Sequence, residues 1–200
     1  MSKDQIRHII ERHSHTDGLT ETGIKGVQYF RATSAIPCAP AVYEPSVIAI
    51  VSGAKEAVLD GQRYVYDDSR YMCCPMSMPV KAGTPSASPQ TPLFGVYIAL
   101  DARLMAELSL EMESAGSLLP PAPADLRAEG IKLAAWDGAF SDALLRLLQL
   151  SESETDRAVL AEARLRELYY AILKGEAGLF ARRAFGAGNA VARALSHVAA

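Results

Sequence analysis

The sequence is poor in the residues on which metal sites and many enzymes depend. It contains four histidines in 200 residues, and none lies between His15 and His197. A small β-domain that binds a catalytic metal generally supplies imidazoles or clustered carboxylates from its strands. The chain also lacks a phosphate-binding Gly-rich loop, a G-x-S-x-G elbow and a C-x-x-C pair. We therefore expect no metal, no cofactor and no catalytic residues.

Charge, cysteine and long hydrophobic runs are also scarce. A net charge of −3 and a pI of about 5.8 leave no basic surface for nucleic acid. No apolar run approaches the roughly 18 to 20 residues of a membrane span, and the N-terminus lacks the apolar centre of a signal peptide. Three cysteines without metal-ligand spacing, Cys38, Cys73 and Cys74, indicate reduced thiols. These features predict a cytoplasmic protein that does not bind membranes.

What the sequence does contain is a run of short strand patterns. After an amphipathic helix at Lys3–His13, "GVQYFRATS", "SVIAIVSG" and "LFGVYIAL" each read as a strand, and "SVIAIVSG" is apolar on both faces. "KEAVLDGQRYVYDD" predicts a hairpin, because Asp60-Gly61 favours the positive φ values of a type I′ turn. The prolines of "IPCAPAVYEP" exclude a central strand there. Many short strands at this spacing predict a sandwich or barrel.

Helical patterns replace strand patterns after Leu100. Asp101 is a plausible N-cap for one helix, and two more are predicted at 139–150 and 158–173. Apolar residues in the last helix recur at steps of three and four, which is typical of a coiled-coil seam. The residues predicted to form a dimer interface are Leu165, Leu168, Tyr169 and Ile172.

Tyrosines and one glutamate are the candidate binding residues. Glu44, before Pro45, is a candidate general base, a ligand acceptor, or a group that holds the corner by bonding to backbone. Tyrosines on strands combine an apolar ring with a hydroxyl, which suits a pocket with few polar points, although core packing explains any single one as well. Cys73 and Cys74 point to opposite faces of their strand. The predicted ligand-binding set is Tyr43, Glu44, Tyr64, Tyr66, Tyr71 and Cys73.

Several of these segments together resemble a known family. The motif "VYEPSVIAIVSGAKEAVLDGQRYVYDD", followed by "LFGVYIALDARLMAEL" and "LAEARLRELYYAILKGEAGLFARR", is similar to the N-terminal domain of AraC-type transcriptional regulators. The resemblance runs from about Gly18 to Arg183. It implies an α+β fold, in which a cupin-like β-barrel (a double-stranded β-helix) is followed by a helical dimerisation subdomain.

The resemblance also implies a division of the chain and a function. The expected parts are an N-terminal helical arm (1–22), a barrel sensor (23–100), a helical subdomain (101–185) and a linker (186–200) toward a helix-turn-helix domain that this chain lacks. A homodimer would bind a small-molecule effector in the barrel and reach DNA only through that absent domain. The effector is expected to be neutral or weakly polar, because no arginine cluster indicates a phosphate site.

Two other interpretations remain open at this stage. One is a cupin-type enzyme, such as an isomerase or a dioxygenase, which the absence of histidines from the strands disfavours. The other is a dimerisation module whose interior is filled by its own side chains and binds no ligand.

Overall fold

The computed structural model describes residues 2–118, 120 and 130–186 of the chain. It contains five α-helices, one short 3-10 helix (Leu150–Glu152) and ten strands in these residues. In chain order the α-helices and strands are α1 (Ser2–His13), β1 (Gly18–Glu21), β2 (Val27–Ala32), β3 (Ile36–Tyr43), β4 (Ser46–Ser52), β5 (Lys55–Leu59), β6 (Gln62–Tyr66), β7 (Arg70–Cys74), β8 (Met78–Thr84), β9 (Leu93–Ala99), α2 (Ala102–Ser114), β10 (Lys132–Ala135), α3 (Gly138–Gln149), α4 (Glu154–Lys174) and α5 (Gly178–Phe185).

The larger sheet has six strands in the order β1-β2-β9-β4-β7-β10, with antiparallel neighbours. Strand β4 lies inside this sheet, and all its residues except Ser52 are buried. This confirms the prediction that "SVIAIVSG" is covered on both faces. Val47, Ala49 and Val51 face one side, and Ile48 and Ile50 face the other.

The smaller sheet has four strands in the order β3-β8-β5-β6. Strand β3 carries Pro37 and Pro40 and lies at the edge, as the prolines require, because a central strand needs every backbone N–H for pairing. The β5–β6 hairpin turns at Asp60 and Gly61, whose φ values are 50° and 80°. The predicted type I′ signal is thus borne out.

The two faces of the six-stranded sheet pack against different layers. On one face the helices form a large core, to which α1 contributes Ile6, Ile9 and Ile10. The other face packs on the four-stranded sheet through a second, smaller core that includes Ile48, Ile50 and Met72. The strands that share the six-stranded sheet therefore divide their side chains between a helical layer and an inter-sheet layer.

The helices begin where short polar side chains accept hydrogen bonds from free backbone N–H groups. Asp101 accepts from the N–H groups of Arg103 and Leu104 at the start of α2, as predicted. Ser153 does the same for Asp156, so α4 starts earlier than the predicted residue 158. The sequence reading missed three short elements, namely β1, β10 and α5. The predicted 186–200 linker lies, except for Gly186, outside the described residues.

The fold class is α+β with antiparallel sheets, as expected. Among the described residues, no strand pairing joins the two sheets into one closed barrel. The cupin-like barrel therefore stays a prediction, and so do the domain boundaries. No described helix has the length and hydropathy needed to span a bilayer.

Candidate binding site between the sheets

The space between the two sheets, here called the inner cleft, opens along the β3 edge. Ala39 of β3 pairs with Ala82 of β8, whose side chain packs in the inter-sheet core. Paired residues of a ladder share a face, so Ala39 and its neighbour-but-one Ala41 also point toward the other sheet. Both are nevertheless exposed. Solvent therefore reaches the inner cleft from this side.

Small side chains lie on the inner face of the four-stranded sheet. Ala82 pairs with Ala39 on one side and with Ala57 on the other, which gives a row of three alanines across β3, β8 and β5. We call this the alanine row. On the facing sheet Gly95 of β9 lies between Phe30 and Ile50 in register, and the Ile50 side chain occupies the space beside this glycine. Ala82 and Phe30 both keep part of their surface accessible. A ligand body of modest size fits above such a surface better than above a row of larger residues.

Hydrogen-bond donors form the next row on the same face. Lys55 of β5 pairs with Tyr66 of β6. Glu56 pairs with Gly83, which places Lys55 beside Thr84 of β8. Residues two positions apart on a strand share a face. Lys55 and Thr84 are each two positions from an alanine of the alanine row, and Tyr66 is two positions from Tyr64. All three therefore point into the cleft. We call Thr84, Lys55 and Tyr66 the donor row.

The polar groups of the donor row lack some of the partners that buried polar groups usually have. The hydroxyl oxygen of Thr84 is buried and makes no hydrogen bond. The ammonium group of Lys55 lies 4.6 Å from the centre of the Phe30 ring, and burial lowers the pKa of this lysine. Burial of unpaired polar groups costs free energy, so such groups in a native fold call for an explanation.

Tyr43 and Tyr66 meet inside the cleft. They come from the two edge strands of the four-stranded sheet, and their hydroxyl oxygens lie 3.1 Å apart. Burial raises the pKa of Tyr43 to about 12 and raises that of Tyr66 as well. Both tyrosines are therefore neutral at physiological pH. A pair of hydroxyls has two protons and uses one in the mutual bond, which leaves one donor for a ligand.

Glu44 does not join the cleft. Its carboxylate accepts a hydrogen bond from the hydroxyl of Ser77, and its backbone oxygen accepts one from Ser46. Its side chain is exposed at the corner between β3 and β4. Of the three roles considered for Glu44, these bonds favour holding the corner.

Tyr71 and Cys73 lie on the other face of the six-stranded sheet. Both belong to the helical core, where Tyr71 stacks on Phe140 of α3 with ring centres 4.1 Å apart. Burial raises the pKa of Cys73 to about 12. Because successive side chains of β7 alternate, Met72 and Cys74 are the residues that face the inner cleft. The structure thus brings together Tyr43, Tyr64 and Tyr66 from the predicted set and separates Tyr71 and Cys73 from them.

A second opening lies at the opposite edge of the sandwich. Tyr64 of β6 and Leu133 of β10, which pack against the inter-sheet core, line a surface pocket of about 470 Å³ there. Arg70 and Lys132 lie at its rim. Tyr64 therefore separates this pocket from the interior of the cleft.

The sequence matches a family over most of its length. Residues 23–179 match the family described as the AraC-type transcriptional regulator N-terminus. This chain belongs to that family. The resemblance noted from the sequence motifs is thereby confirmed, and no curated protein matches the chain.

This AraC-type domain is also similar to solved structures of ToxT from Vibrio cholerae. Wild-type ToxT of strain SCE256 bound to an unsaturated fatty acid has a TM-score of 0.49 at 10% identity, over 86% of this chain and 62% of that chain. ToxT of O395 bound to (E)-4-(8-methylnaphthalen-1-yl)but-3-enoic acid has a TM-score of 0.48 at 12% identity, over 80% and 58%. The chain spans less than two thirds of the length of these ToxT chains.

The predicted dimer seam of this AraC-type domain faces its own core. Leu168, Tyr169 and Ile172 are almost completely buried in the helical layer of the same chain. The Tyr169 hydroxyl donates to the backbone oxygen of Ala99 and accepts from the N–H of Asp101. Leu165 lines a groove of about 720 Å³ between α2 and α4. Three of the four residues thus offer no free side-chain surface to a partner. The heptad-like spacing described packing within the chain.

Sequence reasoning missed Lys55 and Thr84. The alternation of Lys55 with Ala57 and Leu59 was the available signal, since residues two apart on a strand share a face. Lysine side chains are mostly solvated, so this pattern by itself does not indicate a partly buried lysine. In the described parts of the chain, no group of three histidine, cysteine or acidic side chains is arranged to hold a metal ion.

Proposed function

We propose that this chain is the effector-binding part of an AraC-type transcriptional regulator, with the inner cleft as the effector site. The observation that carries the proposal is the alanine row beside the donor row, at an edge of the sandwich that is open to solvent. A sensor must bind its ligand with different free energy in two conformations, and it needs no reaction. The cleft offers hydrogen-bond donors and apolar surface, which suit ligand binding.

The rest of the regulator follows from the same proposal. DNA would be bound by a helix-turn-helix domain outside this chain, and the protein would act in the cytoplasm. The barrel sensor (23–100) and the helical subdomain (101–185) would remain the two working parts. Their contact includes Tyr169 of α4, which bonds to the end of β9, the strand that carries Tyr97 into the cleft. Ligand contact with β9 can thereby alter the position of α4.

We further propose a homodimer through the exposed face of α4. Val159, Ala163 and Tyr170 lie on this face, and Val159 is 73% exposed. Their spacing places them along one side of the helix. Val159→Glu should lower the molar mass in light scattering from dimer to monomer, while circular dichroism shows that the chain remains folded. A mass unchanged by Val159→Glu would remove this face as the interface.

The test of the effector site is to fill it. Ala82→Leu adds three heavy atoms at the partly accessible centre of the alanine row. Lys81→Leu is the matched control, because Lys81 is exposed on the outer face of the same strand. The wild-type chain should gain thermal stability with some members of a panel of small neutral and acidic compounds. Ala82→Leu should lose that gain while Lys81→Leu keeps it. Equal responses of the two variants would place the site elsewhere.

A further inference from the structure

We infer that the effector is an organic anion, with a carboxylate bound by Thr84, Lys55 and Tyr66 and an apolar body lying over the alanine row. The inference rests on the proposed effector site and specifies the chemical class of its ligand. It replaces the expectation of a neutral or weakly polar effector.

The first support is the chemistry of the donor row. Lys55 offers three N–H donors, and Thr84 has a hydroxyl with no partner. Tyr43 and Tyr66 together have one hydroxyl proton left after their mutual bond. These three sources of donors lie on adjacent strands of one sheet face. A carboxylate accepts several hydrogen bonds at once and is the natural complement of such a set.

The second support is that the carboxylate next to Lys55 in the chain is engaged elsewhere. Glu56, the residue after Lys55, points to the outer face and accepts from the Arg63 guanidinium at 3.0 Å. Among the described residues, none forms an ion pair with Lys55, whose ammonium group lies over the Phe30 ring. A partly buried cation without an anion is destabilising, and an anionic ligand would relieve that cost.

The third support is the distance between the two rows. Two residues along a strand span about 7 Å, so the donor row and the alanine row are separated by roughly that length. A carboxylate at Lys55 therefore leaves its attached carbon chain or ring over Ala82, which keeps part of its surface accessible, whereas Ala57 is buried. Phe30 and Leu59 provide further apolar surface at the sides. The site thus fits a monocarboxylate with a compact apolar body better than a sugar, whose many hydroxyls need many partners.

The experiment compares matched acids and alcohols on the whole chain. Octanoate with octanol, and cinnamate with cinnamyl alcohol, differ mainly in the charged group, and their binding is measured by calorimetry. We expect each carboxylate to bind more tightly than its alcohol by about tenfold or more, which corresponds to the usual strength of a hydrogen bond to a charged group. Lys55→Met should reduce carboxylate binding by about ten- to a hundredfold and leave alcohol binding nearly unchanged.

Two further variants complete the design. Thr84→Val keeps the shape of the side chain, removes its hydroxyl and should weaken carboxylate binding severalfold. Lys81→Met removes a lysine from the outer face of β8 and should change nothing. Circular dichroism and melting curves establish that each variant folds.

The possible outcomes separate this inference from the proposed function. Equal affinity for acids and alcohols, or an equal loss of carboxylate affinity in Lys55→Met and Lys81→Met, would contradict the inference that the effector is an anion. Neither result would contradict the proposed effector site. If none of the four probes binds, the inference that the effector is an organic anion is also wrong. If Ala82→Leu then failed to block the binding of any ligand in the wider panel, the assignment of the effector site to the inner cleft would also be wrong.

Discussion

Leu168 distinguishes the two possible roles of helix α4 most clearly. Its side chain is 0% exposed and lies in the core between the helices and the six-stranded sheet. Leu168→Ala would remove apolar atoms from that core and leave a cavity, which costs about 2–5 kcal/mol. For a chain of this size each kcal/mol shifts the melting temperature by roughly 2–4 °C, so we expect a decrease of about 4–20 °C.

The assay is thermal and urea unfolding followed by circular dichroism, with light scattering on the same samples. Leu160→Ala is the matched control, because this leucine lies on the same helix but is exposed and lies off the proposed dimer face, so its free energy of unfolding should fall far less than that of Leu168→Ala. A Leu168→Ala variant that kept its stability but became monomeric would refute the reasoning. That result would mean that Leu168 contacts a partner rather than its own core.

Three other predictions follow from local structure. Asp101→Ala should cost about 0.5–2 kcal/mol of stability, since Asp101 caps two N–H groups of α2, whereas Asp101→Asn should cost little in the same urea titration. Gly53→Ala should lower the free energy of unfolding by more than about 1 kcal/mol, because Gly53 has a φ of 77° and a Cβ there would lie 3.1 Å from Leu93 Cα. Gly61→Ala has no atom within 4 Å of the new Cβ and should lower the stability less in thermal melts. Alkaline titration should show Tyr43 ionising late: its folded pKa of about 12 exceeds the usual value near 10, so the folded state holds the proton longer and stability falls as pH rises between these values. Tyr43→Phe should lessen that fall in pH-dependent melting, and an unchanged slope would contradict the cause given.

The features that the sequence determined by itself are those set by local rules. Period-two alternation, the Asp60-Gly61 turn and the prolines of β3 specified strands, hairpin and edge. Asp101 specified the start of α2 for the same reason, because capping depends on residues within one turn. Several motifs together, among them the one around Tyr43 and Glu44, indicated the AraC-type family, and the family match confirms it. Short elements such as β10 escaped, because four residues carry too little periodicity and their pairing with β7 is a long-range contact.

Only the tertiary structure decided which layer each face of an element contacts. Alternation placed Cys73 and Cys74 on opposite faces, yet it could not tell which face meets the helices and which meets the second sheet. The spacing of Leu168 and Ile172 predicted an apolar seam equally well for a partner chain and for the chain's own core. Lys55 and Thr84 became neighbours through the register of β5 against β8, across a sequence separation that no local pattern records. Local sequence fixes periodicity and turns, whereas register and layer contacts depend on the free energy of packing the whole chain.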